Sequence, residues 1–258
     1  MSLAFLTPDS TLARDVRARS PMERLALAAG ARLSRVEGWN VPNAYDDPPT
    51  ERRRLSETVG FVDRSSLTKL ELQAAPAALA RIVAQAGERL AAGAPTTDQS
   101  PAGGLALDPG LAAYATGTWW CPVTPGRVLV LGEPAAAARL RAEIRQAAED
   151  APGTVSIVDV TCGLTALSLI GPHARELLAR FCAIDVRPAV TPVAGFRPGS
   201  VARTPGYVLV EAHDRLLVLV GWALGEYLWA LVADAAANLG GGPVGAEALA
   251  HHLESADA

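Results

Sequence analysis

Residues 166–181 read Ala166-Leu167-Ser168-Leu169-Ile170-Gly171-Pro172-His173-Ala174-Arg175-Glu176-Leu177-Leu178-Ala179-Arg180-Phe181. The first five are a strand-like apolar run. Gly171-Pro172 breaks it, and Leu177, Leu178 and Phe181 then fall at helical spacing. The same order recurs three times. Lys69–Gln73 leads through Ala74-Ala75-Pro76 into Ala77–Leu90, whose stripe is Leu79, Ile82 and Val83. Arg127–Leu131 leads through Gly132-Glu133-Pro134 into Ala135–Ala148, striped by Leu140 and Ile144. Arg215–Val220 leads through Gly221-Trp222 into Leu224–Ala237, striped by Leu228, Leu231 and Val232. In three of the four, proline opens the helix, where its missing N–H is harmless. A strand followed at once by an amphipathic helix must bury both apolar faces against a common core. The expected class is therefore α+β: two similar βα lobes of mixed sheets with helices on one face.

Working outward, residues 1–20 read as a lead-in and Met22–Ala29 as a helix ended by Gly30. Gly38–Thr50 is rich in turn residues, and Glu51–Thr58 reads as a short charged helix. Gly93–Gly110 and Arg187–Ser200 carry the glycines and prolines of surface loops. Residues 21–247 form the main body, and 248–258 a C-terminal tail with His251 and His252 in solvent. With 23 basic and 27 acidic residues the formal net charge is −4, which gives no general attraction for nucleic acid or anionic membrane. The apolar stretch from Leu216 is cut by Glu226 and Asp234, too soon for the ~18 residues of a membrane span. The start of the chain lacks a signal-peptide pattern. Cys121, Cys162 and Cys182 are too widely spaced for a disulfide framework or a metal knuckle and suit a reducing cytoplasm.

Motifs for phosphate loops, dinucleotides, zinc and serine nucleophiles are absent, and no His/Cys/Asp/Glu set has ligand spacing, so no metal is expected. Cys121, in Thr118-Trp119-Trp120-Cys121-Pro122, has no base partner in the sequence and reads as a small buried apolar residue. Trp119 and Trp120, adjacent in a strand, must face opposite ways; one fits the core and the other a cavity wall. Trp222, Tyr227 and Trp229 cannot share one helix face, which suggests an outward aromatic face for a protein partner.

A longer signature runs through Gly30-Ala31-Arg32, Gly38-Trp39-Asn40-Val41-Pro42-Asn43-Ala44-Tyr45, Glu51 and Gly60-Phe61-Val62-Asp63-Arg64-Ser65-Ser66-Leu67-Thr68-Lys69. Leu167–Ala174, Gly225–Trp229 and Pro243-Val244-Gly245 follow in order. Together these resemble the glycine-cleavage T-protein family. The resemblance implies a folate-binding region of two intertwined lobes around a central hole, with tetrahydrofolate as cofactor. It implies cofactor contacts from Leu67, Tyr114, Trp119, Arg203, Tyr207 and Glu211. It further implies that Tyr114 and Tyr207 share one cavity, with the aromatic segment around Trp119 stacking on a flat pterin ring.

The departures bear on activity. The family places a catalytic aspartate after the tyrosine matched by Tyr114, yet no acidic residue lies between Pro109 and Gly132. Glu211 is displaced past the family's glutamate position; a shift of two residues along a strand keeps the face, whereas an insertion in the loop orphans it. No catalytic residue is assigned. From Leu178 onward the chain is similar to the gamma subunit of heteromeric sarcosine oxidases, which implies flavoprotein amine oxidase or dehydrogenase subunits as partners, or self-association. The expected function is an accessory subunit in amine demethylation; the alternative is a standalone tetrahydrofolate-dependent one-carbon transferase.

Overall fold

A computed structural model describes residues 17–92, 105, 107–149 and 151–256. The expected lead-in and the loop at 93–110 lie mostly outside these residues. The described chain begins with β1 (Ala18–Arg19), α1 (Glu23–Ala28), β2 (Arg32–Val36), β3 (Trp39–Ala44) and α2 (Pro48–Glu57). Two longer series follow. The first is β4 (Gly60–Asp63), β5 (Thr68–Gln73), α3 (Pro76–Ala92), β6 (Ala113–Ala115), β7 (Thr118–Thr124), β8 (Arg127–Gly132) and α4 (Ala137–Glu149). The second is β9 (Ser156–Asp159), β10 (Leu164–Ile170), α5 (Ala174–Ala179), β11 (Phe196–Val201), β12 (Thr204–Ala212), β13 (Arg215–Gly221) and α6 (Gly225–Ala237). β14 (Gly242–Pro243) and α7 (Ala246–Ala256) close the chain.

The two series have one topology and exchange their first strands. The five-stranded sheet runs β6-β7-β8-β5-β9, and the six-stranded sheet runs β11-β12-β13-β10-β4-β14. β4 precedes β5 in the chain but pairs antiparallel with β10; β9 precedes β10 but pairs antiparallel with β5. This α+β arrangement of two lobes agrees with the expected class.

The apolar strands are buried on both faces, which explains their unbroken hydrophobic runs. On β8, Val128 and Val130 pack against α3 and α4, while Leu129 and Leu131 face the other sheet. On β13, Leu216, Val218 and Val220 pack toward α5 and α6, while Leu217 and Leu219 meet the five-stranded sheet. The order of layers is thus helices, sheet, sheet, helices. Each fully buried leucine contributes roughly 1.5–3 kcal/mol. α2 and α7 close the part of the inner face near Val62 and Ile170 through Leu55, Ala248 and Leu249.

Local chemistry sets the helix starts. Asp47 caps α2 by accepting from the Thr50 N–H at 3.0 Å, with prolines in the first turn. Pro76 starts α3, and Pro134 starts a 3-10 turn that leads into α4. Pro172 does not open its helix: α5 begins at Ala174, because Gly171 (φ 118°) turns the chain tightly under α2. A Cβ at Gly171 would lie 2.7 Å from the Thr58 carbonyl oxygen, so the Gly-Pro pair serves helix–strand approach.

Sequence expectations change at four places. Arg187–Ser200, expected as a surface loop, runs into β11 and fully buries Thr191 and Phe196. Gly38–Thr50 contains β3, flanked by β1 and β2, with Pro42 beside a register shift where a missing N–H is tolerated. Residues 248–256, set apart as a tail, belong to α7 and bury Ala248 and Leu249. The aromatic face divides: Trp222 and Trp229 are absorbed by internal packing, while Tyr227 stays 46% exposed. Trp229 packs on Phe61 at 5.0 Å and Tyr45 at 6.1 Å, and Trp222 on Trp39 at 6.2 Å. The Tyr227 hydroxyl donates to the Ala202 carbonyl at 3.1 Å. The small N-terminal sheet supplies Trp39, and Tyr45 follows directly after it.

The two crossovers between sheets are related by a local two-fold. Asp63 accepts from the Ser65 N–H, and Asp159 from the Thr161 N–H, each at 2.9 Å. The Arg64 N–H donates to the Ala166 carbonyl, and the Val160 N–H to the Lys69 carbonyl, again each at 2.9 Å. The Ser65 hydroxyl accepts from the Ala166 N–H, and the Thr161 hydroxyl from the Lys69 N–H. Lys69 and Ala166 therefore occupy equivalent positions.

Candidate functional site

The seam between the sheets is apolar at its centre, where Leu67, Leu129, Leu131, Phe196, Leu217 and Leu219 meet. Charged and aromatic side chains stand at its ends. Such residues on strands buried on both faces are costly unless paired, which makes the seam the place to look for function.

At one end, Glu211 lies at a register shift between β12 and β13. The bulge leaves it as the extra residue of its strand, a device that re-aims side chains near sites. It shares the seam face with Tyr207 and Leu209. Its side chain is 7% exposed and its Oε2 stands 3.3 Å from Arg215 Nε without a hydrogen bond among the described residues. Burial raises the Glu211 carboxyl above its ordinary range, against the opposing charges of Arg64 and Arg215. Glu133 adds to the rise and is itself paired with Arg64. Cys121 lies beneath, fully buried, its thiol pushed up by burial and then by the Glu211 charge. That makes it an inert core cysteine.

Tyr114 and Trp119 flank this end. Their rings are 4.7 Å apart across the β6–β7 hairpin, and Tyr114 is 48% exposed. Thr116 and Gly117, both with positive φ, make its two-residue turn. Trp119 faces the seam and Trp120 is fully buried against α3 and α4, the opposite facing expected of neighbours in a strand.

The other end is built around Tyr207. Its ring stacks on Phe196 at 5.6 Å, and its hydroxyl accepts from Arg127 Nη2 at 3.3 Å. Arg127 is also paired with Glu71. A cavity of about 250 Å³ opens here, walled by Pro109, Pro122, Pro125 and Pro198, and Pro198 is the cross-strand partner of Tyr207. A smaller cavity of about 90 Å³ lies between α2 and α7, away from the seam.

The expected cofactor residues are therefore distributed. Leu67 lies in the seam core; Tyr114, Trp119 and Glu211 gather at one end; Tyr207 stands at the other. Arg127, which meets Tyr207, is four residues along β8 from Leu131, the partner of Trp119. At ~3.3 Å per residue, about 13 Å of strand separates the β8 neighbours of the two aromatic groups, Leu131 for Trp119 and Arg127 for Tyr207. Arg203 is brought to neither end: it is exposed at φ 63° in the turn between β11 and β12, beside the buried Ala202.

Sequence reading passed over Glu71, Arg127 and Glu133. The available signal was parity: Glu71 and Arg127 sit at the positions that alternate with outer-core residues on doubly buried strands. Arg64 stood inside the quoted signature, but nothing local marked it as the partner of Glu133. Among the described residues no group of three or more His, Cys, Asp or Glu is placed to hold a metal ion. No described helix is long and apolar enough to cross a membrane.

Comparison with solved structures supports the same architecture. The chain is similar to a chain of the heterotetrameric sarcosine oxidase from Corynebacterium sp. U-96, with 21% identity and a TM-score of 0.60, covering 86% of this chain and 96% of that one. It is also similar to the glycine cleavage system aminomethyltransferase T from Bartonella henselae, with 15% identity and a TM-score of 0.68. That match covers 90% of this chain and 60% of the Bartonella chain. A search of curated proteins finds no match. The family model described as the GCVT N-terminal domain matches residues 22–255, and on that evidence the chain belongs to the GCVT N-terminal domain family.

Proposed function

We propose that the seam binds tetrahydrofolate and that the chain acts as an accessory subunit of a flavin-dependent, amine-demethylating complex. The observation that carries the non-catalytic part is the state of the seam carboxylates. Glu71 is paired with Arg127, Glu133 with Arg64 and Glu211 with Arg215. A general base has to be free to take a proton from its substrate. The β6–β7 hairpin, where the family keeps its aspartate, offers only Thr116 and Gly117 at its turn. The similarity to almost the whole length of one sarcosine oxidase chain supports the subunit reading, since in that assembly the fold alone makes up a chain. The Tyr114–Trp119 pair and the proline-walled cavity suit a flat heterocycle with an extended tail.

Calorimetric titration of the purified chain with tetrahydrofolate tests the ligand. Saturable binding that weakens in Trp119→Ala is the expected result, and no heat of binding would overturn it. Co-expression with a candidate flavoprotein subunit tests the assembly through flavin absorbance eluting with this chain. The unbonded Glu211 oxygen favours a second reading, a standalone one-carbon transferase. Turnover of an aminomethyl donor by the isolated chain at ~1 per second or faster, abolished in Glu211→Gln, would select it.

A further inference from the structure

The chain's only lysine is wholly buried. Lys69 stands at the local two-fold where the exchanged strands cross between sheets. Its Nζ donates to the Ser65 carbonyl at 2.8 Å, to the Leu67 carbonyl at 2.9 Å and to the Thr161 carbonyl at 3.3 Å. The first two acceptors belong to the β4–β5 crossover and the third to the β9–β10 crossover. The equivalent position in the other half is Ala166, so one side chain spans both connections.

We infer that Lys69 is a proton-dependent tie between the two sheets: as an ammonium it joins both crossovers, and as an amine it releases the β9–β10 crossover. The argument is a count of hydrogens. An ammonium has three donors for the three carbonyls. Loss of one proton to solvent leaves two N–H groups and a lone pair, which cannot face a carbonyl oxygen favourably. The longest contact, to Thr161, is the one given up; the shorter two, within the lysine's own crossover, stay. The groups facing Lys69 are Asp63 on β4, Arg64 in the same crossover, Asp159 on β9 and Cys162 in the β9–β10 turn. Burial pulls its pKa down to about 7, against the attraction of Asp63, Cys162 and Asp159. The tie therefore switches in the neutral range. The β9–β10 crossover keeps two other links to Lys69, the Thr161 hydroxyl accepting from the Lys69 N–H at 3.1 Å and the Val160 N–H donating to the Lys69 carbonyl at 2.9 Å, so release loosens the turn without undoing the sheet.

A single lysine makes the test direct. In protein labelled only at lysine, the side-chain resonance belongs to Lys69, and its titration is followed by NMR. Amide exchange is measured in parallel from pH 6 to pH 9 and corrected for chemical exchange rates. The expected result is a titration near neutral pH with a rise of about tenfold in exchange at Gly163 and Leu164, the scale of losing one charge-assisted hydrogen bond. The Leu67 amide should not change. Lys69→Met should abolish the pH dependence and Cys162→Ser should keep it. The proposal is overturned if Lys69 stays charged to pH 10, or if Gly163 and Leu164 show no extra change. It is also overturned if Lys69→Met keeps the dependence or Cys162→Ser removes it. Should Lys69→Met fail to fold, the wild-type titration and Cys162→Ser decide the matter.

Discussion

The two crossovers share a backbone and differ in their electrostatics. Asp63 and Asp159 each open the crossover by accepting the N–H two residues on. Yet burial raises the Asp63 carboxyl, outweighing hydrogen bonds from Ser20 and Ser65 and the charge of Lys69. For Asp159, burial is outweighed by hydrogen bonds from Thr161 and the Arg141 ion pair, and its carboxyl is lowered. The cause is position. Asp63 is 6% exposed, deep in the fold beside Ser20, whereas the Asp159 side chain is 43% exposed beside Arg141. One turn motif thus yields a buried charge site in one half and a solvated ion pair in the other. The hydrogen bonds of a motif fix its shape; what covers it fixes its charge state.

The strongest way to break this comparison is to make the second crossover imitate the first. Ala166→Lys would place a second ammonium at the two-fold beside that of Lys69, where Ala166 is fully buried. An uncompensated buried charge costs on the order of 5 kcal/mol, so loss of the cooperative thermal transition is expected by calorimetry. Thr161 offers a finer test. Thr161→Val removes the acceptor for the Lys69 N–H and should cost about 1–3 kcal/mol in urea unfolding. Thr161→Ser keeps the acceptor, makes the crossover more like its Ser65 counterpart, and should cost no more than about 1 kcal/mol. Equal effects of the two would show that the hydroxyl is idle.

Glu211→Gln probes the seam end itself. The folded carboxyl titrates above its unfolded value, so between the two the folded state holds the extra proton. Wild-type stability must therefore fall as pH rises through the folded pKa. Glutamine has no such loss, and the variant should melt about 2–4 °C higher at pH 8, with the advantage fading in acid. A lower melting temperature at pH 8 would mean that Arg64 and Arg215 need the charge more than burial opposes it. The smallest effect belongs to the surface. The Arg187 guanidinium and N–H hydrogen bonds hold the exposed Asp185 carboxyl down to about 2. Its contribution is present above about 3.8 and is lost as pH falls toward 2. Asp185→Asn should lower the melting temperature at pH 7 only slightly, by less than about 1 °C because solvent screens an exposed pair, and the difference should vanish toward pH 2.

Much of the fold was legible because it is local. Lys69–Gln73, Arg127–Leu131, Ala166–Ile170 and Arg215–Val220 each announce a strand and its following helix, and the structure extends them by only a few residues. Gly38–Thr50 was misread because Pro42 and Asn43 favour turns, while β3 is stabilised by neighbours on both sides that no local window contains. The aromatic helix was legible only in part for the same reason: Tyr227 is exposed, but Trp39 and Tyr45, on which Trp222 and Trp229 pack, lie in the distant N-terminal segment. At the site, Glu211 could be placed on the right face by counting in twos. Its arginine neighbours and the separation from Tyr207 depend on how one sheet lies over the other.

The sequence by itself determined the α+β modules, the faces of their strands and, through its motif order, the family. A period of two or 3.6 residues is a property of the chain and needs no partner to be read. The tertiary structure alone decided the exchange of β4 and β9, the pairing of Glu71, Glu133 and Glu211 with arginines, and the meeting of two crossovers on Lys69. Strand partners and ion pairs are selected by contacts between residues distant in the chain. An alternating pattern states that a face will be buried, but not against what.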